Sequence, residues 1–307
     1  MSDAHRPLRL TLLTWLAVAG AVYRPAPAAA AEPLRVFISV DMEGIGGVVT
    51  GEQLGTSGFE YQRFRERMTE ETNAAIEAAR GAGATRIVVA DSHGNFQNLL
   101  LEKLPADVEV VRGTPRPLGM LQGIDEGFDA VVFVGYHAST SNPEGVRAHT
   151  FSSATLADVR LNGASVTEGA FNAALAAHFG AKAVAVSGDA AAVAEVQAQV
   201  KGIEGAVVKW GYAFHAARVL SPEASRAAIR AAVTKGLARR AEIPLHAIEG
   251  PIELELRFKN YRPAEVMAWL PGVTRVDSHA VRYTARDVVE AYRLVTFVLT
   301  FQSALEP

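Results

Sequence analysis

The stretch Phe37-Ile-Ser-Val-Asp-Met-Glu-Gly-Ile-Gly-Gly47 constrains this chain more than any other. An apolar, β-favouring run, Leu34 to Val40, leads directly into two carboxylates and then into glycines. Side chains alternate along a strand, so Asp41 and Glu43 project to the same side wherever the extended conformation persists. Gly44, Gly46 and Gly47 then permit a sharp turn and a close backbone approach to whatever the carboxylates hold. An isolated D-x-E-G reads most simply as a strand and a solvated turn. Here the same event, an apolar strand followed by ligand-type side chains, occurs twice more. Arg86-Ile-Val-Val-Ala90 runs into Asp91-Ser-His93-Gly94, and Ala130-Val-Val-Phe-Val-Gly135 runs into Tyr136-His137-Ala138.

Helical patterns separate these strands. Phe64, Met68 and Ile76 recur at near-helical spacing within Phe59 to Arg80, and Gly81 and Gly83 close that segment. Asn162-Gly163, flanked by Thr155 to Leu161 and Ser165 to Thr167, predicts a hairpin. A helix over Gly169 to Phe179, a strand over Ala183 to Ser187, a helix over Ala190 to Val200 and a short strand at Val207-Val208 follow. Ser221-Pro222-Glu223 starts a helix that runs to about Ala241, with Ser at the N-cap and Pro at the first position. The last sixty or so residues change character. Ile252 to Phe258 alternates strictly, as a strand with one wet face does, and short elements follow: a helix near Ala264 to Trp269, strands around Val276 and Val281, and a helix from Asp287.

Continuous apolar strands alternating with helices predict an α/β fold, a mostly parallel sheet with helices on both faces. A smaller C-terminal α+β lobe completes it. The expected division is an export signal over residues 1–31, a metal-binding catalytic domain over 32–245 and the lobe over 246–307. Ligands of such sheets sit beyond the carboxyl ends of the strands, which is where the carboxylates and imidazoles lie.

Arg6 and Arg9 precede an apolar run from Leu10 to Val22, and Pro25-Ala-Pro-Ala-Ala-Ala-Ala31 follows as a small-residue cleavage zone. That is the pattern of a secretory signal, with cleavage expected after about Ala31. The run is short for a transmembrane helix, and with no cysteine in the chain a lipoprotein anchor, a disulfide and a thiolate site are all excluded. The expected protein is exported, periplasmic or secreted, without a stable membrane anchor. A net charge of −3 over 307 residues gives no basis for a nucleic-acid partner.

Collected at the strand ends are Asp41, Glu43, Asp91, His93 and His137, with His149 on a returning loop and Glu168 at a helix start. Carboxylates and imidazoles without thiolates suit zinc, manganese or iron, whereas magnesium and calcium prefer oxygen alone. The donors outnumber what one catalytic zinc needs, so a pair of metals sharing a bridging carboxylate fits better. Each residue also has a plain structural role open to it: Asp91 as a turn cap, Glu168 as a favourable helix-start charge, a histidine as a hydrogen-bonded loop residue.

The sequence resembles the M55 metallopeptidases, the D-aminopeptidase family. Ser39-Val-Asp-Met-Glu-Gly44, Asp91-Ser-His-Gly94, Gly135-Tyr-His-Ala138, Ala148-His-Thr150, Leu161-Asn-Gly163, Glu168 with Phe171-Asn-Ala173, and Val186-Ser-Gly-Asp189 carry the resemblance in order. It implies two zinc ions per chain, held by Asp41, Glu43, His93, His137 and Glu168 with Asp41 as the bridge. It also implies His149 as the catalytic residue, nucleophile or base. The chain departs from the family where Ala190 follows Asp189 and in the bulky neighbours of Lys209 along Trp210-Gly-Tyr-Ala-Phe-His215. The expected activity is release of N-terminal D-residues, of D-alanyl type, from short peptide substrates, with a homo-oligomer as the expected assembly. The alternatives are a di-metal amide or ester hydrolase without D-preference and a non-catalytic exported peptide-binding protein.

Overall fold

A computed structural model describes Met1 and residues 33–301 of the chain; the export signal expected over 1–31 lies outside the described residues, Met1 aside. Residues 33–301 form one compact unit. Its strands are β1 (Leu34–Val40), β2 (Ala84–Asp91), β3 (Glu109–Val111), β4 (Ala130–Tyr136), β5 (Leu156–Leu161), β6 (Ala164–Ser165), β7 (Lys182–Asp189), β8 (Glu204–Ala213), β9 (Ala216–Val219), β10 (Ile252–Phe258), β11 (Val273–Arg275) and β12 (Ala280–Ala285). Its α-helices are α1 (Tyr61–Gly81), α2 (Glu168–His178), α3 (Ala190–Gln199), α4 (Pro222–Ala238), α5 (Tyr261–Met267) and α6 (Val288–Thr300).

Seven strands form one sheet in the order β3-β2-β1-β4-β7-β8-β9, parallel except for the β8–β9 hairpin. Alternation along β1 explains how both faces become covered. Val36, Ile38 and Val40 face a core that contains Met68 and Ile76 of α1 and Ile229 and Val233 of α4. Phe37 faces the opposite core, with Phe171 of α2, Tyr292 of α6 and the apolar face of the second sheet. That second sheet is antiparallel, in the order β11-β12-β10-β5-β6. The architecture is therefore the expected mostly parallel α/β sheet with a smaller antiparallel companion.

The expected boundary at 245/246 does not coincide with a structural break. β10 pairs with β5, so the second sheet draws on the middle of the chain as well as its end. Glu255, expected on the wet face of β10, is buried and held by Arg282 at 2.9 Å. The hairpin at Asn162-Gly163 forms as predicted, both residues taking positive φ (51° and 82°). Thr167, read as its last strand residue, instead caps α2 by accepting the Ala170 N–H. The short strand at Val207-Val208 is the middle of the longer β8.

Glycines bring the ends of β1, β4 and β7 unusually close. A Cβ on Gly44 would collide with the Tyr136 carbonyl, and one on Gly135 (φ +72°) with the Asp41 carbonyl. Asp41 N–H donates to Val134 O at 2.8 Å and Gly44 N–H to Gly135 O at 2.7 Å, which stitches the turn after β1 onto β4.

Candidate metal centre

Asp41, Glu43, His93, His137, His149 and Glu168 meet at the carboxyl edge of the large sheet, and all but His93 are buried below a tenth exposed. Asp41 and Glu43 leave β1, His93 follows β2, His137 follows β4, and Glu168 is the first residue of α2. His149 arrives on the loop after β4, fixed by its own N–H to Ala138 O at 3.0 Å.

Each imidazole is anchored by one nitrogen to a backbone carbonyl. His93 Nε2 bonds Leu54 O at 2.9 Å, His137 Nδ1 bonds Ala138 O at 3.1 Å, and His149 Nδ1 bonds Arg147 O at 2.8 Å. A carbonyl can only accept, so the anchored nitrogen carries the hydrogen and the other nitrogen of the neutral ring presents a lone pair. For His93 that other nitrogen, Nδ1, stands 2.9 Å from Glu43 Oε2 and 3.3 Å from Asp41 Oδ1. For His137 it is Nε2, 3.2 Å from both Asp41 Oδ2 and Glu168 Oε1, and no hydrogen bond satisfies it. Lone pairs thus converge on carboxylate oxygens, an arrangement that a cation or a proton must resolve. Carbonyl-anchored imidazoles are also how metal-binding histidines are oriented. Two sets of donors, Asp41 with Glu43 and His137, and His137 with His149 and Glu168, each lie within 4.8 Å of one another. The residues present fit a metal centre.

The proton affinities reflect the same crowding. Burial, reinforced by the charge of Glu43, raises the Asp41 carboxyl above its ordinary value. Burial opposes charge on His137, but Glu168 and Asp41 outweigh it and hold that imidazole well above the usual range. His149 goes the other way, lowered by burial and by His137 beside it.

Asp91 does not join the cluster. It sits opposite Val40 in register, one step short of Asp41, and a one-residue offset turns a side chain to the other face. Its carboxylate accepts the N–H groups of Asn98 and Leu99 (2.5 and 2.7 Å) and the Asn98 side chain at 2.9 Å. Its role here is a loop cap.

Two buried ionisable groups stand behind the cluster: Lys209, to which the sequence assigned no role, and Glu71, which it did not single out. Lys209, fully buried in β8, donates to the carbonyls of Glu43, Ile45 (3.2 Å) and Val48 (2.7 Å), so it grips the whole glycine turn that bears the carboxylates. Glu71 of α1 accepts the Gly46 N–H from the same turn at 3.0 Å. Beneath the cluster, Ser39 Oγ contacts Tyr136 Oη and Ser92 Oγ, both at 2.8 Å, and Asn172 donates to Tyr136 Oη at 2.9 Å. The cluster opens on a cavity of about 780 Å³ lined by Asp41, Glu43, His93, His149 and Glu168 on one side and by Phe96, Phe151 and Leu299 among others elsewhere. Among the described residues no helix is long and apolar enough to cross a membrane.

The sequence profile of the Peptidase M55 family, D-aminopeptidase, matches residues 34–297. A D-aminopeptidase from Bacillus subtilis (strain 168) is 31% identical over 265 residues, covering 85% of this chain and 94% of that protein. The solved structure of the Zn-dependent D-aminopeptidase DppA from Bacillus subtilis, described as a self-compartmentalizing protease, superposes with a TM-score of 0.83 at 29% identity, over 88% of this chain and 100% of that one.

Proposed function

Since this chain belongs to the M55 D-aminopeptidase family of metallopeptidases, we propose that it removes N-terminal D-residues from short peptides at a dinuclear zinc centre. The observation that carries the reading is the pair of carbonyl-anchored imidazoles, His93 and His137, whose free nitrogens face Asp41, Glu43 and Glu168. Those five residues would hold two zinc ions, with Asp41 shared between them. Bound there, zinc supplies Lewis-acid polarisation of the scissile carbonyl and lowers the pKa of water.

His149 supplies the proton chemistry. Its Nδ1–H is fixed on Arg147 O and its ring lies against His137, so Nε2 is the available base, 4.0 Å from Glu43 Oε1. That nitrogen takes a proton from the attacking water as its oxygen bonds to the carbonyl carbon. The same proton is then delivered to the amine nitrogen as the C–N bond breaks. The products are a free D-amino acid and the shortened peptide. A nucleophilic route would use the same lone pair in the same orientation.

The D-preference rests on the family and on the names of the relatives. We propose export as well, on the Arg-flanked apolar run and the small-residue zone ending at Ala31, and D-alanyl peptides released outside the cytoplasm as the natural substrates. A homo-oligomer is proposed because the DppA relative is self-compartmentalizing. The deciding experiment gives the purified, zinc-loaded mature chain paired D- and L-alanyl amides. Cleavage of the D-series alone is expected; equal rates on both would leave a di-metal amide hydrolase without D-preference.

A further inference from the structure

Arg116 stands out along the cavity that serves the metal cluster. Among the described residues it is the one Lys or Arg that lines that cavity, and it is only 6% exposed. Its Nη2 donates to Asp91 O at 2.8 Å and its Nη1 to Val111 O at 3.3 Å, so both of its hydrogen bonds end on neutral carbonyls. Nε is buried and has no partner among the described residues. A guanidinium carries five N–H groups, which leaves most of its donor capacity unused. The Asp91 carboxylate acts on it through space, but its hydrogen bonds go to Asn98 and Leu99 and none to the guanidinium. The Phe96 ring lies 3.8 Å over the guanidinium carbon, covering one face and leaving the planar edges for a ligand. Burial lowers its pKa only to about 10, so the group is cationic at neutral pH.

Among the described residues no carboxylate forms an ion pair with this buried guanidinium, and a ligand that brings the opposite charge into contact with it offsets the cost of burying the cation. We propose that Arg116 binds the C-terminal carboxylate of the substrate, which makes the preferred substrates short peptides whose free carboxylate reaches this side chain. The planar fork of Arg matches a carboxylate with two parallel hydrogen bonds. The apolar wall formed by Phe96, Phe151, Val295 and Leu299 lines the same cavity. Chain length is then set by charge recognition: a peptide too long, or one capped as an amide, forfeits the pairing. This inference deepens the aminopeptidase reading and rests on it. The competing role for Arg116 is a clamp between the ends of β2 and β3, through the same Asp91 and Val111 carbonyls.

The test compares D-alanyl-D-alanine with D-alanyl-D-alaninamide on the zinc-loaded wild type, Arg116→Met and Arg116→Lys. The wild type should favour the free acid by about tenfold to a hundredfold in kcat/KM, carried by KM, as expected for charge-assisted hydrogen bonds. Arg116→Met should bring the acid-to-amide ratio down to about one, and Arg116→Lys should retain part of it. A wild-type ratio near one, or acid and amide falling together in Arg116→Met, would establish the clamp alone. Calorimetric binding of the same two compounds to zinc-loaded His149→Ala protein reads the carboxylate contact with little turnover. Tighter binding of the acid in that background, lost when Arg116→Met is added, supports the inference even if neither compound is cleaved; equal binding overturns it. Absence of cleavage of both compounds counts against the aminopeptidase reading instead. Should Arg116→Met fail to fold, the acid-to-amide comparison on the wild type still decides.

Discussion

The imidazole of His149 lies stacked on that of His137, ring centroids 3.9 Å apart and planes 11° from parallel. The two rings hang from different carbonyls, Arg147 O and Ala138 O, so either can be removed without releasing the other. Function separates them. His149→Ala should keep its metal content and thermal unfolding while turnover on D-alanyl amides drops by about a hundredfold to ten-thousandfold. His137→Ala should lose metal as well as activity. Metal analysis beside steady-state kinetics on both variants checks this; turnover of His149→Ala within a few-fold of wild type would return that residue to the status of a loop histidine.

The donor set predicts close to two equivalents of a transition metal per chain. Mass-spectrometric metal analysis after mild dialysis should find them, and His93→Ala should retain fewer. An active sample with metal content near zero would refute the dinuclear centre.

Lys209→Met should destabilise the fold by on the order of 3 kcal/mol, since buried carbonyls of Glu43, Ile45 and Val48 lose their shared donor. Metal affinity should fall with it, because the turn that carries Glu43 loses its grip. Denaturant titration and a metal-competition assay measure the two effects. Unchanged values in both would mean that the ammonium merely fills space.

Glu71 predicts a pH signature in stability. Burial raises its carboxyl from the ordinary 4.5 to about 7. Between those values the folded chain holds a proton that the unfolded chain has released. The contribution is therefore complete below the unfolded value and is lost as pH rises through the folded one, an effect of about 3 kcal/mol when fully developed. Glu71→Gln keeps an acceptor for the Gly46 N–H and cannot ionise. Its stability relative to wild type should climb from pH 4.5 to 7 and level off above. Urea denaturation across that range reads the difference, and parallel curves would show that Glu71 has no raised pKa.

Export predicts a mature amino terminus near Glu32 in material from the native compartment. Terminal sequencing decides it. Intact Met1 in a soluble cytoplasmic fraction would overturn the localisation and the extracellular substrates with it.

How much of this was legible in the sequence varies by residue. β1, β2 and β4 are buried on both sides, so they read as unbroken apolar runs and their ends marked the site directly. Asp41 and Asp91 gave the same local signal, a carboxylate after an apolar strand. The family resemblance left Asp91 out of the ligand set, and the register of β1 against β2 supplies the physical reason. Lys209 was visible in the family resemblance but its role was opaque for a different reason: a lysine in a strand reads as a solvated side chain, and its carbonyl partners lie more than 160 residues earlier in the sequence. The pairing of β10 with β5 is likewise a long-range event that no local pattern announces. β8 continued past its apolar centre because its far half pairs with β9 in a half-exposed hairpin, where Trp210 stacks beneath Arg218 at 4.4 Å and Tyr212 faces solvent.

The glycine contacts between β1 and β4 work as a gauge. Gly44 and Gly135 let the two strand ends close to a distance that leaves no room for a methyl, since any side chain there would wedge Asp41 and His137 away from each other. The bonds from Asp41 N–H to Val134 O and from Gly44 N–H to Gly135 O hold the same ends from drifting outward. The spacing of the donor atoms is thus written in main chain, where side-chain exchange cannot retune it. An ion that gathers six to eight oxygens, as calcium does, would have to spread that frame. Gly135→Ala, which would press a methyl against the Asp41 carbonyl at a positive φ, should therefore cost stability and metal affinity together.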